Sequence, residues 1–376
     1  MRSTCSTDPT YSSSSWKTSW SKSPMRRSFS LTQLNSTHYQ SVAFITHHRL
    51  GDALFTTPAI RELKRQIPDI EITILATSQA AHEVYLGNPH IKAAYDCSEG
   101  VPTEVKETHL DLTLAGLGNE RSLSVSNTLN GACHFFVGTR ISLKGQPRPR
   151  FKTGGADKNE AIIHATQNHI NKFTRLFQLE SPCCDFSYNL PITPKDTEFA
   201  KKKLQDLGIH QDQRLVGLHI GCRNIQKSKF FGLRKKELTN SRAWRMKEVI
   251  EFSGRLAKHD PQARGILTGT GSEAPLNAHL QKVCSNLIDL SNQFSIKQSA
   301  ALVNELDTFI CTDTGMQHIS SSTSTPLIGL FGATNPVDTG PYPGRKQTTI
   351  IEADNMDMIR GSEVFLAYSE TLKNHC

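Results

Sequence analysis

Phe309-Ile310-Cys311-Thr312-Asp313-Thr314-Gly315-Met316-Gln317-His318 reads as an apolar strand that runs into a polar turn with a glycine and then into a helix. In an open α/β sheet, ligands bind beyond the carboxyl ends of the strands. The free N–H groups and positive end of the following helix suit a phosphate or pyrophosphate. His318 stands three residues after Gly315, in the first helical turn, and faces the same place. A helix N-terminus disfavours imidazolium, so a neutral His318 that donates one hydrogen bond is expected. The spacing is equally well explained if Asp313 or Thr314 merely caps the helix and His318 is satisfied in the interior.

Working outward, two further strand ends lie in the same half of the chain. Val216-Gly217-Leu218-His219-Ile220-Gly221 ends on a glycine that would let a backbone approach a ligand closely. Gly265-Ile266-Leu267-Thr268-Gly269-Thr270-Gly271-Ser272-Glu273 places glycines after a strand and Glu273 at the start of a helix, where its carboxylate either caps or accepts from a ribose. Each turn alone is common to every Rossmann-like fold, and three adjacent ones carry more weight. Helices over 197–207, 246–258 and 274–284 alternate with strands at Leu215–Ile220, Gly265–Thr268, Thr308–Cys311 and Leu327–Phe331, and an amphipathic segment over 357–373 predicts a terminal helix.

The first half begins with an apolar strand, Val42-Ala43-Phe44-Ile45-Thr46, followed by His47-His48-Arg49-Leu50-Gly51-Asp52 and a helical pattern from Leu54 to Ile67. Gly51 permits a tight turn, Asp52 stands at the helix entrance, and Pro58 is tolerable early in the helix. Capping alone would explain Asp52. Strands at Glu71–Leu75, Ile91–Tyr95 and Leu110–Leu114, a helix over Gln79–Leu86 and a long helix over 159–178 continue the alternation of a parallel sheet wrapped by helices. Pro182, Pro191 and Pro194 mark a linker. The division that follows is a Ser/Thr-rich basic tail over 1–40, α/β units over 41–190 and 191–356, and a C-terminal helix over 357–376.

A chain of 376 residues exceeds what one core usually organises, consistent with two domains. Residues 1–40 carry Arg2, Lys17, Lys22, Arg26 and Arg27 against Asp8, without periodicity, which predicts a disordered tail or, from its composition, a transit-peptide-like segment. Nine cysteines without a CxxC pair or a Cys/His zinc spacing predict a reduced, metal-free protein. No run approaches the roughly 18 apolar residues of a membrane helix. The net charge of +8 points to an anionic partner.

Gly51-Asp52 with Thr56-Thr57-Pro58-Ala59-Ile60, Gly221, Arg242-Ala243-Trp244, Thr268-Gly269 with Glu273, Asp313-Thr314-Gly315-Met316-Gln317-His318, and Gly329-Leu330-Phe331-Gly332-Ala333-Thr334 with Gly340-Pro341 occur in one order. That ordered set, over about residues 42–372, resembles glycosyltransferase family 9, the ADP-heptose:lipopolysaccharide heptosyltransferases. The resemblance implies a GT-B type α/β fold of two Rossmann-like domains facing a central cleft, an inverting transfer, and no obligatory metal or cofactor. It implies that Asp52 is the general base and that His47, Arg49 and Gly51 lie on the acceptor side. Gly221, Arg242, Trp244, Glu273, Asp313, Thr314, Gly315 and His318 would bind the donor. Arg242 falls where the family usually has lysine, keeping the charge but presenting a planar fork.

The implied partners are an ADP-heptose donor and a phosphorylated lipid A-core acceptor in bacterial lipopolysaccharide core biosynthesis, with a cytoplasmic enzyme touching the inner membrane transiently. A carboxylate can take the proton that the acceptor hydroxyl loses, and Arg242 with the amides around Thr314–Met316 can stabilise the departing diphosphate. Between Gly221 and Arg242, a segment with Arg223, Lys227, Lys229, Arg234, Lys235 and Lys236 is longer than the family pattern and reads as a solvated loop or as a contact for anionic lipid or acceptor phosphates. The same fold with another nucleotide sugar or acceptor is an alternative. A nucleic-acid binder on a degenerate scaffold is disfavoured, because no RNA-binding signature is visible and only 7% of residues are aromatic, so no nucleic-acid partner is expected.

Overall fold

The computed structural model describes residues 39–116, 120–129, 133–137, 140–143, 163–180, 182, 185–209, 213–221, 242–332 and 334–373. The tail over 1–38, the loop expected at 144–158, the first residues of the helix expected from 159, and the basic segment over 223–241 lie outside the described residues.

Two six-stranded sheets follow one another along the chain. The first holds β1 (Ser41–Ile45), β2 (Glu71–Ala76), β3 (Ala93–Asp96), β4 (Leu112–Ala115), β5 (Cys133–Val137) and β6 (Arg140–Leu143) in the order β3-β2-β1-β4-β5-β6. The second holds β7 (Leu215–His219), β8 (Arg264–Leu267), β9 (Leu287–Asp289), β10 (Thr308–Thr312), β11 (Leu327–Phe331) and β12 (Thr348–Glu352) in the order β12-β11-β10-β7-β8-β9. Numbered within its own half, each sheet has the same doubly wound order, 3-2-1-4-5-6. The strand order therefore reverses between β1 and β4 in one sheet and between β7 and β10 in the other, which is where such sheets receive ligands. The chain is an α/β protein of the GT-B kind, as the motifs implied. One difference is local: β6 pairs antiparallel with β5, closing an otherwise parallel sheet, and neither strand was expected.

Helices pack on both faces. Those that matter for the site are α1 (Leu50–Gln66), α2 (Gln79–Tyr85), α5 (Ala165–Phe177), α6 (Pro194–Asp206), α7 (Met246–His259), α8 (Ala274–Val283), α9 (Ile296–Asn304), α10 (Gly315–Ser321) and α12 (Gly361–Lys373). Thr193 starts α6 with a reciprocal capping box to Asp196, and Ser295 starts α9 in the same way with Gln298. The terminal helix α12 packs on α7 of the second unit, where Tyr368 and Phe365 meet Phe252.

Helix α1 begins four residues earlier than its hydrophobic pattern predicted, which corrects two expectations. Gly51 is a helical residue and makes no tight turn, and Pro58 lies well inside the helix. An interior proline leaves the carbonyl four residues back without its usual donor. Here Leu54 O accepts from the Thr57 hydroxyl at 2.8 Å instead, and the neighbouring Ala53 O accepts from Thr56 at 2.8 Å and from the Tyr85 hydroxyl at 2.9 Å. The run Thr56-Thr57-Pro58 thus carries its own compensation.

The two units share a core. Ile319 of α10 and Ala300 of α9 belong to the same buried cluster as Leu54, Phe55 and Ile60 of α1. The connecting segment is held on α1 by Arg61, which donates to Ser187 O at 2.9 Å and pairs with Asp185 at 3.0 Å. Lys297 of α9 donates its ammonium to Leu86 O at the end of α2, and its backbone N–H to Glu83 at 3.2 Å.

Replacing Thr57 with valine keeps the shape but removes the donor to Leu54 O and the acceptor for Asn189 N–H, a bond of 3.0 Å. Urea unfolding should show a loss of about 1–3 kcal/mol, whereas a serine at the same position should recover most of it.

Candidate active site

The N-termini of α1 and α10 meet across the two sheets, and the contact is made by glycines. A Cβ on Gly51 would lie 2.4 Å from Cδ2 of His318, and a Cβ on Gly315 would lie 2.8 Å from Cδ2 of Leu50. A Cβ on Gly51 would displace the buried His318 ring, and one on Gly315 would push aside the end of the Leu50 side chain. The carboxyl ends of β1 and β10 are brought together in this way, so Asp52 and the Asp313–His318 motif face one region.

His318 is buried, at 5% exposure, with its ring edge-to-face on Phe55 at 4.7 Å between centroids. Burial pushes its imidazole down to about 4, with Asp313 opposing and His164 and Arg242 adding to the fall. It is therefore neutral near pH 7, as expected, but the main cause is desolvation and not the nearby helix end. Nδ1 of His318 has no partner, so a wholly satisfied interior histidine does not describe it.

Asp313 is buried beneath this turn. Its carboxylate accepts from Arg242 at 3.2 Å and from the Thr339 hydroxyl at 3.4 Å, and Arg242 also donates to the Asp313 carbonyl at 3.2 Å. Asp313 thus holds Arg242, whose side chain is half exposed and free to reach outward on its far side. Thr314 occupies the N-cap position of α10 without a side-chain cap, its hydroxyl turned to Thr312 O at 3.3 Å. Behind the motif, the Arg345 guanidinium donates to the carbonyls of Ser320, Ser321, Thr323 and Thr325, bracketing the last turn of α10.

Gly221 lies two residues beyond β7 beside Thr312, whose hydroxyl donates to its carbonyl at 2.8 Å. The space above Gly221 is taken by Glu273, whose Cγ would lie 2.2 Å from an added Cβ. Glu273 accepts from Thr270 N at 2.8 Å, and stands just before α8 without capping it. Trp244 offers no free polar atom: it is buried in the second core with its indole N–H donating to Ile359 O at 3.0 Å. Its backbone N–H bonds Ile220 O at 2.9 Å, and that bond sets where Arg242 stands.

On the first sheet, Asp52 is the third residue of α1 and caps nothing. Its carboxylate is one-third exposed, and the nearest basic group is His47 Nδ1 at 4.0 Å. Burial raises its pKa above the ordinary carboxylate value, and Arg49 and His48 act against that rise. A raised pKa makes Asp52 a stronger base than a solvated carboxylate. Arg49 is exposed at the start of the helix. His47 is buried, and burial together with Lys172, His48 and Arg49 pushes it down to about 4. His169 and Lys172 of α5 line the same place and were not singled out in the sequence. Their spacing on an amphipathic helix looks like any half-buried face, and only the packing of α5 along α1 brings them to β1. Among the described residues no group of three or more His, Cys, Asp or Glu is arranged to hold a metal, and no helix is long and apolar enough to cross a membrane.

Two histidines kept neutral by burial tie stability to pH. Their folded values near 4 lie below the unfolded value of 6.5, so the stability they contribute is complete above pH 6.5 and is lost as pH falls toward 4. Each adds a slope of up to about 1.4 kcal/mol per pH unit in that window. Urea titrations from pH 7.5 to 4.5 should show the fall, and His318→Gln should make it shallower; a pH-independent midpoint would contradict it.

The glycosyltransferase family 9 (heptosyltransferase) sequence model matches residues 157–363. The solved structure of the family 9 glycosyl transferase from Veillonella parvula superposes with a TM-score of 0.68 at 16% identity, covering 89% of this chain and 98% of that one. The Escherichia coli ADP-heptose lipopolysaccharide heptosyltransferase II gives 0.65 at 13% identity, covering 89% and 99%. The lipopolysaccharide core heptosyltransferase OpsX of Haemophilus influenzae is 30% identical over 67 residues, 18% of this chain, and the match spans only 19% of that protein. With a matched segment that covers more than half of its length and includes the Asp313–His318 motif, the chain belongs to glycosyltransferase family 9.

Proposed function

We propose that this protein moves a heptose from ADP-heptose to a lipopolysaccharide core acceptor with inversion at the anomeric carbon. The observation that carries the reading is the meeting of Asp52 with the Asp313–His318 turn through the Gly51–His318 contact. The first unit presents a partly desolvated carboxylate, and the second presents a guanidinium fixed by a buried aspartate. The solved heptosyltransferase of similar fold, named for ADP-heptose, supports the donor. The net charge of +8 supports a phosphorylated lipid A-core acceptor and transient contact with the cytoplasmic face of the inner membrane.

In this reading the unit over 41–190 takes the acceptor and the unit over 191–356 the donor. The acceptor hydroxyl attacks the anomeric carbon as Asp52 takes its proton, and the C–O bond to the diphosphate breaks. Negative charge gathers on the leaving ADP, where Arg242 and the amides that open α10 can meet it. Thr314 and Gly315 line the approach, and neutral His318 offers a hydrogen bond without competing for the proton. Glu273, beside Gly221, is placed to accept from a ribose. His47, Arg49 and Gly51 border the acceptor side. A different nucleotide sugar or acceptor on the same site is the second reading, favoured by the donor motif's engagement of the diphosphate more than the sugar.

Asp52→Asn should reduce transfer by about three orders of magnitude or more while ADP affinity stays within a few-fold, because the amide keeps the shape but accepts no proton. Turnover near the parent level would remove Asp52 as the base. A donor screen comparing ADP-heptose, ADP-glucose and UDP-sugars tests the sugar, and preference for any donor other than ADP-heptose overturns the heptosyl assignment. Arg242→Ala should weaken ADP binding by about 1–3 kcal/mol by calorimetry, and unchanged binding would move the diphosphate elsewhere.

A further inference from the structure

His47 is a buried side chain that the proposed reaction does not yet use. It is 7% exposed, and both of its ring nitrogens lack a hydrogen-bond partner. A buried unpaired polar atom is costly, and two on one ring need a reason. The ring is closely packed. A Cβ at Gly116, at the end of β4, would lie 2.6 Å from its Cδ2, and His169 of α5 packs edge-to-face on it at 5.4 Å between centroids. Nδ1 is the nitrogen nearest Asp52, 4.0 Å from Oδ2. That is about 1 Å longer than a hydrogen bond. The imidazole is wedged, whereas the carboxylate is one-third exposed and can rotate to close the gap.

We propose that His47 is the positioning residue of the base: its Nδ1–H donates to Oδ2 of Asp52 and leaves Oδ1 free, aimed at the acceptor hydroxyl. The proposal rests on Asp52 being the base of the transfer. Asp52 accepts no other hydrogen bond among the described residues, so without His47 its two oxygens are interchangeable by rotation. The groups that face His47 are Asp52 from α1, His48 and Arg49 from the turn before it, and His169 and Lys172 from α5. Burial, with Lys172, His48 and Arg49 acting in the same direction, keeps the imidazole neutral at working pH, which gives it one N–H and one lone pair. A bound acceptor that excludes water would strengthen the bond further.

The test uses His47→Ala and His47→Asn, since an asparagine amide can place an N–H near the position of Nδ1. His47→Ala should lower kcat about tenfold or more with the donor KM within about twofold, and should move the acid limb of kcat/KM to higher pH, because Asp52 loses a donor that favours its ionised form. His47→Asn should recover most of the rate. A readout without turnover is the ¹⁵N spectrum of the wild-type protein at pH 7.5: His47 should carry its proton on Nδ1, and in Asp52→Ala the proton should shift toward Nε2. An alanine variant within twofold of the parent, an asparagine variant no better than alanine, or an unprotonated Nδ1 in the wild type would each overturn the assignment. If the wild type moves no heptose from ADP-heptose, the proposed donor fails, and the ¹⁵N result still decides the His47–Asp52 pair.

Discussion

Two helix starts that belong to different sheets touch at Gly51 and His318, and most of the site's properties descend from that contact. Each helix follows the central strand of a doubly wound sheet at the point where strand order reverses. Bringing those points within van der Waals distance makes one region out of two ordinary ligand positions. The contact leaves no room for a Cβ on Gly51 beside the His318 ring. It also buries His318 under Phe55, and this burial keeps the imidazole neutral.

The same closeness explains why the charged groups differ so much in exposure. Asp313 is sealed and paired, Arg242 is half exposed, and Asp52 lies between them in access to solvent. A buried aspartate that anchors a guanidinium fixes a positive charge at little entropic cost, since the planar fork is already oriented. On the other side, a partly desolvated Asp52 gains basicity yet stays within reach of solvent. The two carboxylates therefore differ by environment alone: Asp313 is buried and paired, whereas Asp52 is partly exposed and accepts no hydrogen bond among the described residues.

Much of this was legible in the chain. The alternation of apolar strands and helices and the strand-turn-helix at Phe309–His318 follow local rules of periodicity and turn chemistry, and the structure keeps them. What was not legible depends on partners distant in sequence. Gly51 reads as a turn residue until His318 is seen against it. Trp244 reads as part of a ligand motif until its indole is found on Ile359 O, 115 residues away. Pro58 reads as a helix-start residue because the Thr57 hydroxyl that replaces its missing donor is invisible to propensity. His169 and Lys172 gain meaning only when α5 lies along α1. Short, weakly patterned strands such as β5, β6 and β9 escape because their stability comes from neighbours more than from their own residues.

Arg345 gives α10 an anchor of a different kind at its tail from the one at its front. The guanidinium grips the carbonyls around the end of α10 and carries its charge through the acid range, whereas His318 at the start of the same helix takes up a proton as pH falls toward about 4. A short helix held this way is clamped at its tail and adjustable at its head. Acidification should therefore be felt early at the head of α10, where the two units touch, while the tail of the helix keeps its guanidinium clamp, so that the joint between the units slackens from one side.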